Sequence, residues 1–490
     1  MAAICKNIRS FILVLLPFFL VSTEVYAQYP ADTLYQAVPA DTPPLPAWHA
    51  SVTDSTLPTP MTLFRITRYN DDWQWYPVHD YAKVQPWNSD MSLFKYSSAL
   101  LYDAATGNII RNLPGDLWES RWSHNDPNLI YSFRTDGTVK KYYVAQDSTA
   151  VILRLTAYET VRLGPGEGNT DWQDRYVALV GKSGQDMDVI TLDLQNGQTL
   201  ATRRFADAWS NNANAPEYID WVSVSPSGRF TVIMWNTHLT SAAHPLHGHY
   251  GVEVYRTADM QFLRRISNYG NHGDFQYTPA GDEVFVQFHG PRPGITAYFL
   301  DRDSLFAVHT NPDFGDGDAH ISGQNYQRPG WVYVSTDPAR GGLVLAVKLD
   351  GSQTVEYFAH HFSSAANYDK SPMPVPAPDG IRVMFRSDFG RSQNAEEVYD
   401  FTACAASLSV PRHQQPVPVL YPNPTSESLR TAGLSKPFRY RIYSSKGRLI
   451  KTGQSRPAYP ISVENLRPGI YFLQVETAAR SFLLPFLKRR

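Results

Sequence analysis

The chain has little cysteine, little charge imbalance and, beyond its first residues, no long apolar run. Cys5 and Cys404 are the two cysteines among 490 residues. Cys5 falls in the leader described below, so the processed chain keeps Cys404 alone; an intrachain disulfide and a cysteine-built metal site are excluded. The 44 Lys and Arg against 46 Asp and Glu leave a formal net charge of −2, or −3 once the leader with Lys6, Arg9 and Glu24 is removed. Neither a nucleic-acid partner nor an anionic membrane is expected of that balance. A membrane-spanning helix needs about 20 apolar residues, and no stretch after residue 27 approaches that. No transmembrane segment is therefore expected after signal removal. Strong chemical motifs are missing too. There is no Gly-x-Ser-x-Gly nucleophile elbow, no His-Glu-x-x-His zinc helix and no Gly-x-x-x-x-Gly-Lys-Ser or Gly-Lys-Thr phosphate loop.

At the start, Lys6 and Arg9 flank an apolar run from Phe11 to Val21 broken only by Pro17, and Val25-Tyr26-Ala27 ends it on a small residue. This is the three-part layout of a secretory signal peptide over residues 1–27, cut after Ala27. Residues 28–59 are rich in proline and read as an extended leader; a second proline-rich stretch, 405–419, reads as a linker. Between them lies a folded domain over 60–404, and a smaller one follows over 420–490. With 13% aromatic residues, 30 Gly and 36 Pro, many short strands and punctuated turns are expected.

The larger domain repeats itself. Apolar strand, Pro-x-Gly or Asp-Gly turn, apolar strand and polar hairpin recur in VSVSPSGRFTVIMWN from Val222, FQYTPAGDEVFVQF from Phe275 and PVPAPDGIRVMFRSD from Pro374. Fainter copies begin at Trp122, Asp171 and Arg328, and an earlier one spans Tyr76 to Ile110. A spacing of about 45 to 50 residues is that of a four-stranded propeller blade. Val222, Val224, Phe230 and Val232 alternate with polar neighbours, which is strand rather than helix periodicity. The fold class is all-β: a seven-bladed β-propeller followed by a small C-terminal Ig-like β-sandwich.

Propellers place their sites where the inner strands begin, around the central channel. His272 and Asp274 precede one inner strand, His320, Gln324 and Arg328 another, and Asp369, Lys370 and Ser371 a third. Imidazoles with acid or amide oxygens are the donor set of a divalent metal, here on His272 and His320, while Arg328 or Lys370 suits a ligand carboxylate. The competing reading is that these groups hydrogen-bond across blades and close the ring. Trp73, Trp75 and Trp209 are candidate exposed aromatics for a glycan or protein ligand. Gly164, Gly166 and Gly168 lack a following lysine and read as a mobile hairpin. Asp313, Asp316 and Asp318 do not have the spacing of a calcium loop and read as solvated turn carboxylates.

Two resemblances sharpen this. Tyr421 to Pro424, Tyr443 to Gly447, Leu466 to Tyr471 and Lys488 to Arg490 follow in order the motifs of the type IX secretion sorting domain, which the stretch from Leu420 to Arg490 resembles. The resemblance implies a partner in the type IX machinery, passage through the periplasm and outer membrane, and release or surface attachment. Pro485 in the final strand departs from the pattern. Pro378-Asp379-Gly380, Val383-Met384-Phe385 and Ser387-Asp388 are similar to the propeller of oligogalacturonate lyases and WD-repeat-like periplasmic proteins. Those lyases bind metal through a His-Pro-His-Pro run, and Ser371-Pro372-Met373-Pro374 stands there instead, so that metal site is not carried over. Two readings stay open: a binding propeller for a glycan or protein, or a lyase-like enzyme in which a metal or Arg328 neutralises a uronate carboxylate while a base removes the adjacent proton.

Overall fold

The structure is a computed structural model describing residues 42–69, 76–96, 99–209, 216–236, 244–315, 319–391, 397–405, 419–421, 425–432, 437–445, 448–456, 459–476 and 481–489. The signal peptide, residues 28–41 of the leader and residues 406–418 of the linker lie outside the described residues. Among those described there are strands and three short 3-10 turns but no α-helix, hence none long and apolar enough to cross a membrane.

Seven antiparallel sheets follow one another along the chain and form the seven blades. Blade 1 holds Leu93–Tyr96, Leu100–Asp103 and Ile109–Asn112, with Trp87 bridging Phe94 as a reduced inner strand. Blades 2 to 6 each have four strands in sequence order; their inner strands are Arg121–Trp122, Thr160–Arg162, Ile219–Val224, Gly273–Tyr277 and Ile321–Ser322. Blade 7 closes the ring. Its inner strands Val375–Pro376, Val383–Ser387 and Tyr399–Ala405 come from the end of the domain, and Met61–Arg65 and Ser51–Asp54 from its beginning. Met61 pairs with Ala405 and Arg65 with Phe401 in that seam. Ser51–Asp54 falls inside the stretch expected to be a loose leader. Each of its four residues pairs with one of Met61 to Phe64, so this part of the leader belongs to the propeller.

The second strands show why no blade stands alone. Phe230–Trp235, Glu283–Phe288, Trp331–Ser335 and Val383–Ser387 are buried along their whole length. Both faces are covered by neighbouring blades, so the polar alternates seen in the sequence are buried too and must find partners. Thr231 Oγ1 and Thr257 Oγ1 share a hydrogen bond of 3.0 Å, and the Gln287 side chain donates to Ser267 Oγ at 2.9 Å. The Pro-x-Gly turn has a steric reason. Gly228 donates its N–H to Ser225 O at 2.8 Å with φ at +71°, and a Cβ there would lie 2.5 Å from the Tyr176 ring.

Polar ties fasten blade to blade. Three times a histidine is held in the same way, its backbone N–H donating to a carboxylate that its Nδ1 also meets: His79 on Asp400, His124 on Asp174 and His360 on Asp54. These join blade 1 to 7, 2 to 3 and 6 to 7. Ser227 donates from N and Oγ to Glu283, both at 2.6 Å, joining blade 4 to 5.

The C-terminal module is a sandwich of a three-stranded and a four-stranded sheet. Leu420, Leu429, Phe438, Ile442, Ile461, Leu473, Val475 and Phe486 fill its core. The last strand, Ser481–Lys488, pairs with Gly469–Glu476 without interruption, with Pro485 opposite Phe472. It is an edge strand, where a proline's missing donor is tolerated.

Candidate functional site

Each inner strand leads from one mouth of the channel to the other, so residues just before it share the first mouth. There the rings of His272 and His320 stack at 4.4 Å between centroids and 22° between planes. His272 Nδ1 donates to the Ala319 carbonyl at 2.7 Å. Tyr81 and Tyr368 stand edge-on to His320, at 5.4 and 5.7 Å. Burial first, then the charges of Glu167 and the nearby Tyr368 and Asp220, push the Tyr81 phenol far above its usual range. Lys83, buried, places its ammonium 2.7 Å from Glu167 Oε2 and 4.5 Å from the centre of the Trp221 ring.

Asp274 and Gln324 are brought together but face the interblade seam. Asp274 Oδ2 accepts from Gly323 N at 2.8 Å and from Gln324 Nε2 at 2.9 Å, and Oδ1 accepts from Phe275 N. Burial raises the Asp274 carboxyl above its ordinary range despite these donors. Both residues tie blade 5 to blade 6, as the competing reading holds.

Two expected ligand cations are elsewhere. Arg328 follows its inner strand instead of preceding it. Its guanidinium makes a two-pronged pair with Glu356 at 2.9 and 2.7 Å and also donates to Tyr333 Oη at 3.1 Å. Burial would lower its pKa, but Glu356 and Tyr333 raise it beyond the usual arginine range. Lys370 points inward and pairs with Asp388 at 3.0 Å, both side chains fully buried. Asp369 alone of that trio is exposed, in the 3-10 turn Tyr368–Lys370 capped by Asn367.

The remaining expectations divide similarly. Trp209 is wholly buried in the core between blades 3 and 4 and offers no exposed ring; Trp73 and Trp75 lie outside the described residues. The glycine-rich loop is not a hairpin. It is a 3-10 turn, Gly164–Gly166, pressed so closely on blade 4 that a Cβ at Gly164 would sit 1.9 Å from Val222 O. Its carbonyls hold buried Arg121: Nη2 donates to Gly166 O at 2.6 Å and Nε to Gly168 O at 2.8 Å. Asp313 pairs with Arg340 at 3.1 Å, and Asp316 and Asp318 lie outside the described residues.

The residues do not fit a divalent metal. Stacked imidazoles lay their ring-plane nitrogens side by side instead of converging on one point, and His272 Nδ1 already donates to a carbonyl. Among the described residues no three His, Cys, Asp or Glu gather as metal ligands. Met373 is buried, and its carbonyl accepts from His79 Nε2 at 2.7 Å.

Beside His272 the first mouth opens into a cleft of about 430 Å³ between blades 4 and 5, lined by Asp220, Trp235, Asn236, Tyr250, Asn268, Tyr269, Asn271 and His272. Tyr269 is 68% exposed. Arg265 lies over the Tyr250 ring at 3.4 Å and is held by Glu253 at 2.7 Å. Asp220 sits at the start of an inner strand, and Tyr81 and Lys83 precede the reduced one of blade 1. The same positional rule finds them once that irregular strand is recognised. Tyr269 and the asparagines carry no such signal.

Residues 419–483 match the family model of the secretion system C-terminal sorting domain. This is the type IX sorting domain, and the chain bearing it is exported through the outer membrane to the cell surface or extracellular space. No curated protein matches the chain in sequence. Among solved structures, the oligogalacturonate lyase from Vibrio parahaemolyticus is 12% identical, with 72% of this chain and 96% of that one covered at a TM-score of 0.49. An oligogalacturonate lyase in complex with manganese is 13% identical, with 75% and 98% covered at a TM-score of 0.47.

Proposed function

We propose that the exported propeller binds a glycan in the cleft between blades 4 and 5 at its first mouth. The observation that carries this is Tyr269, a 68% exposed ring at the rim of a cleft whose polar groups include Asp220, Asn236, Asn268 and Asn271. A flat aromatic face takes the C–H face of a sugar, and amide and carboxylate oxygens accept from its hydroxyls. The sugar class favoured is neutral, because Asp220 repels a uronate.

The lyase reading asks for a cation on the uronate carboxylate. Arg328 and Lys370 are engaged by Glu356 and Asp388, Lys83 by Glu167, and Arg386 by the carbonyls of His79 and Asp80. Releasing Arg328 or Lys370 leaves the buried carboxylate of Glu356 or Asp388 uncompensated. The test is calorimetric titration with neutral oligosaccharides and with oligogalacturonate, alongside ultraviolet absorbance for unsaturated products. Binding of a neutral glycan that weakens about tenfold in Tyr269→Ala is expected. Unsaturated product from oligogalacturonate, or glycan binding indifferent to Tyr269→Ala, contradicts the proposal.

A further inference from the structure

The other mouth of the channel, where the inner strands end and turn outward, holds a second cleft of about 420 Å³. Its lining comes from the turns of four blades and includes Ser89, His124, Trp172, Gln173, Tyr326 and Gln327. Gln327 Nε2 donates to Ser89 O at 2.6 Å, which ties blade 6 to blade 1 across this mouth. Three rings stand at steep angles to one another: His124 to Tyr326 at 4.7 Å and 79°, Trp172 to Tyr326 at 6.2 Å and 53°. Behind them Tyr277 meets Trp172 edge-on at 5.1 Å. The cleft these residues line is open to solvent, and an aromatic lining of this kind can receive a cation.

The charges that act on Tyr326 are acidic, while Lys141 lies 5.8 Å from the centre of the neighbouring Tyr131 ring. Burial, then Asp174, Asp90 and Asp379, push the Tyr326 phenol well up, and Asp174, Asp126 and Asp171 do the same to the neighbouring Tyr131 after burial. His124 does not offset them, since it is paired with Asp174 at 3.0 Å and the pair has no net positive charge in either protonation state. Arg229, the cation felt by Tyr277, is held 3.5 Å from Glu283. The hydroxyl of Tyr326 is buried and has no hydrogen-bonding partner among the described residues, an uncommon and costly state for a polar atom.

We propose that this cleft is a second binding site, specific for a primary ammonium group, which lies against the rings of Trp172 and Tyr326 and donates an N–H to the Tyr326 hydroxyl. A quaternary ammonium lacks that N–H and an uncharged group lacks the attraction to the rings and to Asp90 and Asp379. A lysine side chain of a protein or an amino sugar supplies the group, and both reach the outside of the cell, where the sorting domain delivers this chain. The site is independent of the glycan cleft, which opens at the opposite mouth.

The experiment is a titration of the full chain, followed by calorimetry or ligand-observed nuclear magnetic resonance, with n-butylammonium and with 1-butanol, its uncharged counterpart of near-equal size. Butylammonium is expected to bind at about millimolar concentration and 1-butanol not to. Trp172→Ala is expected to weaken butylammonium about tenfold, and Tyr326→Phe, which keeps the ring and so the fold, about threefold or more. Tyr269→Ala should leave it unchanged. N-acetyl-lysine amide and glucosamine are then compared, and the tighter binder names the source of the group. Equal binding of the two butyl probes, no binding of butylammonium to the intact chain, or unchanged binding in both Trp172→Ala and Tyr326→Phe would overturn the assignment.

Discussion

Asp388→Leu is the most demanding test of the reassignment of Lys370 from ligand to structural residue. Asp388 accepts from Lys370 Nζ at 3.0 Å, Ser364 N at 2.8 Å, Gly390 N at 3.2 Å and the Ser364 hydroxyl. Both side chains of the ion pair have no exposure. Removing the carboxylate therefore strands a buried ammonium, a change that costs about 3–5 kcal/mol. Lys370→Met is milder, about 1–3 kcal/mol, because the carboxylate keeps its Ser364 and Gly390 donors. In the double variant Lys370→Met with Asp388→Leu no charge is stranded, and its cost should fall below that of Asp388→Leu alone, with a coupling of about 0.5–3 kcal/mol. Urea unfolding followed by tryptophan fluorescence measures this. No tryptophan lies beyond Trp331, so the signal reports the propeller and not the sorting domain. At a slope of about 3 kcal/mol per molar urea, Asp388→Leu should lower the midpoint by about 1 M or more. A loss below about 1 kcal/mol, or a double variant no better than Asp388→Leu, refutes the buried pair and returns Lys370 to the candidates for ligand binding.

Three further outcomes are expected. Gly164→Ala, with φ at +56° and a Cβ 1.9 Å from Val222 O, should lower the thermal midpoint far more than Gly184→Ala, where φ is +65° and nothing lies within 4 Å of the added atom; strain alone costs about 1 kcal/mol, so equal effects would argue against the clamp on Arg121. For Asp54 burial raises the pKa, but the hydrogen bonds from His360 and Thr56 outweigh it; for Asp174 burial is likewise outweighed by His124 and Ser123, so both lie below the ordinary 3.8 in the folded chain. Their contribution is thus complete above about pH 4 and lost as pH falls through the folded values, so Asp54→Asn and Asp174→Asn should destabilise at pH 7 and converge on the parent chain at lower pH; a gap that widens in acid would reverse the sign. Deleting residues 420–490 should leave a folded propeller in the periplasm of a type IX-competent host, and fusing 405–490 to an exported reporter should send that reporter outside, as fractionation would show.

Much of the architecture was legible in the sequence because it depends on local rules applied repeatedly. Each Pro-x-Gly turn between two apolar runs marks one blade, and Tyr421, Leu466 and Tyr471 mark the sorting domain, whose motifs are contiguous in the chain. The seam of blade 7 was not legible. Met61–Arg65 pairs with Tyr399–Ala405 across more than three hundred residues, and Ser51–Asp54, a short strand among prolines, looks like a leader until its pairing with Met61–Phe64 is known. Position relative to an inner strand singled out His272 and His320, whose rings the fold stacks together, but not what the side chains there do. Lys370 and Asp388, or Arg328 and Glu356, are far enough apart in sequence that only the packed ring decides whether a cation faces solvent or a buried carboxylate. The two clefts are of the same kind. Tyr269 at one mouth and Trp172 with Tyr326 at the other come from turns of different blades, and neither turn carries a motif. The sequence alone determined that this chain is a repeated all-β domain with an export address, since period and motif are one-dimensional properties. Which polar groups face solvent and which pair inside the ring was decided only by tertiary structure, because burial and the approach of residues distant in the chain set the partner each group finds.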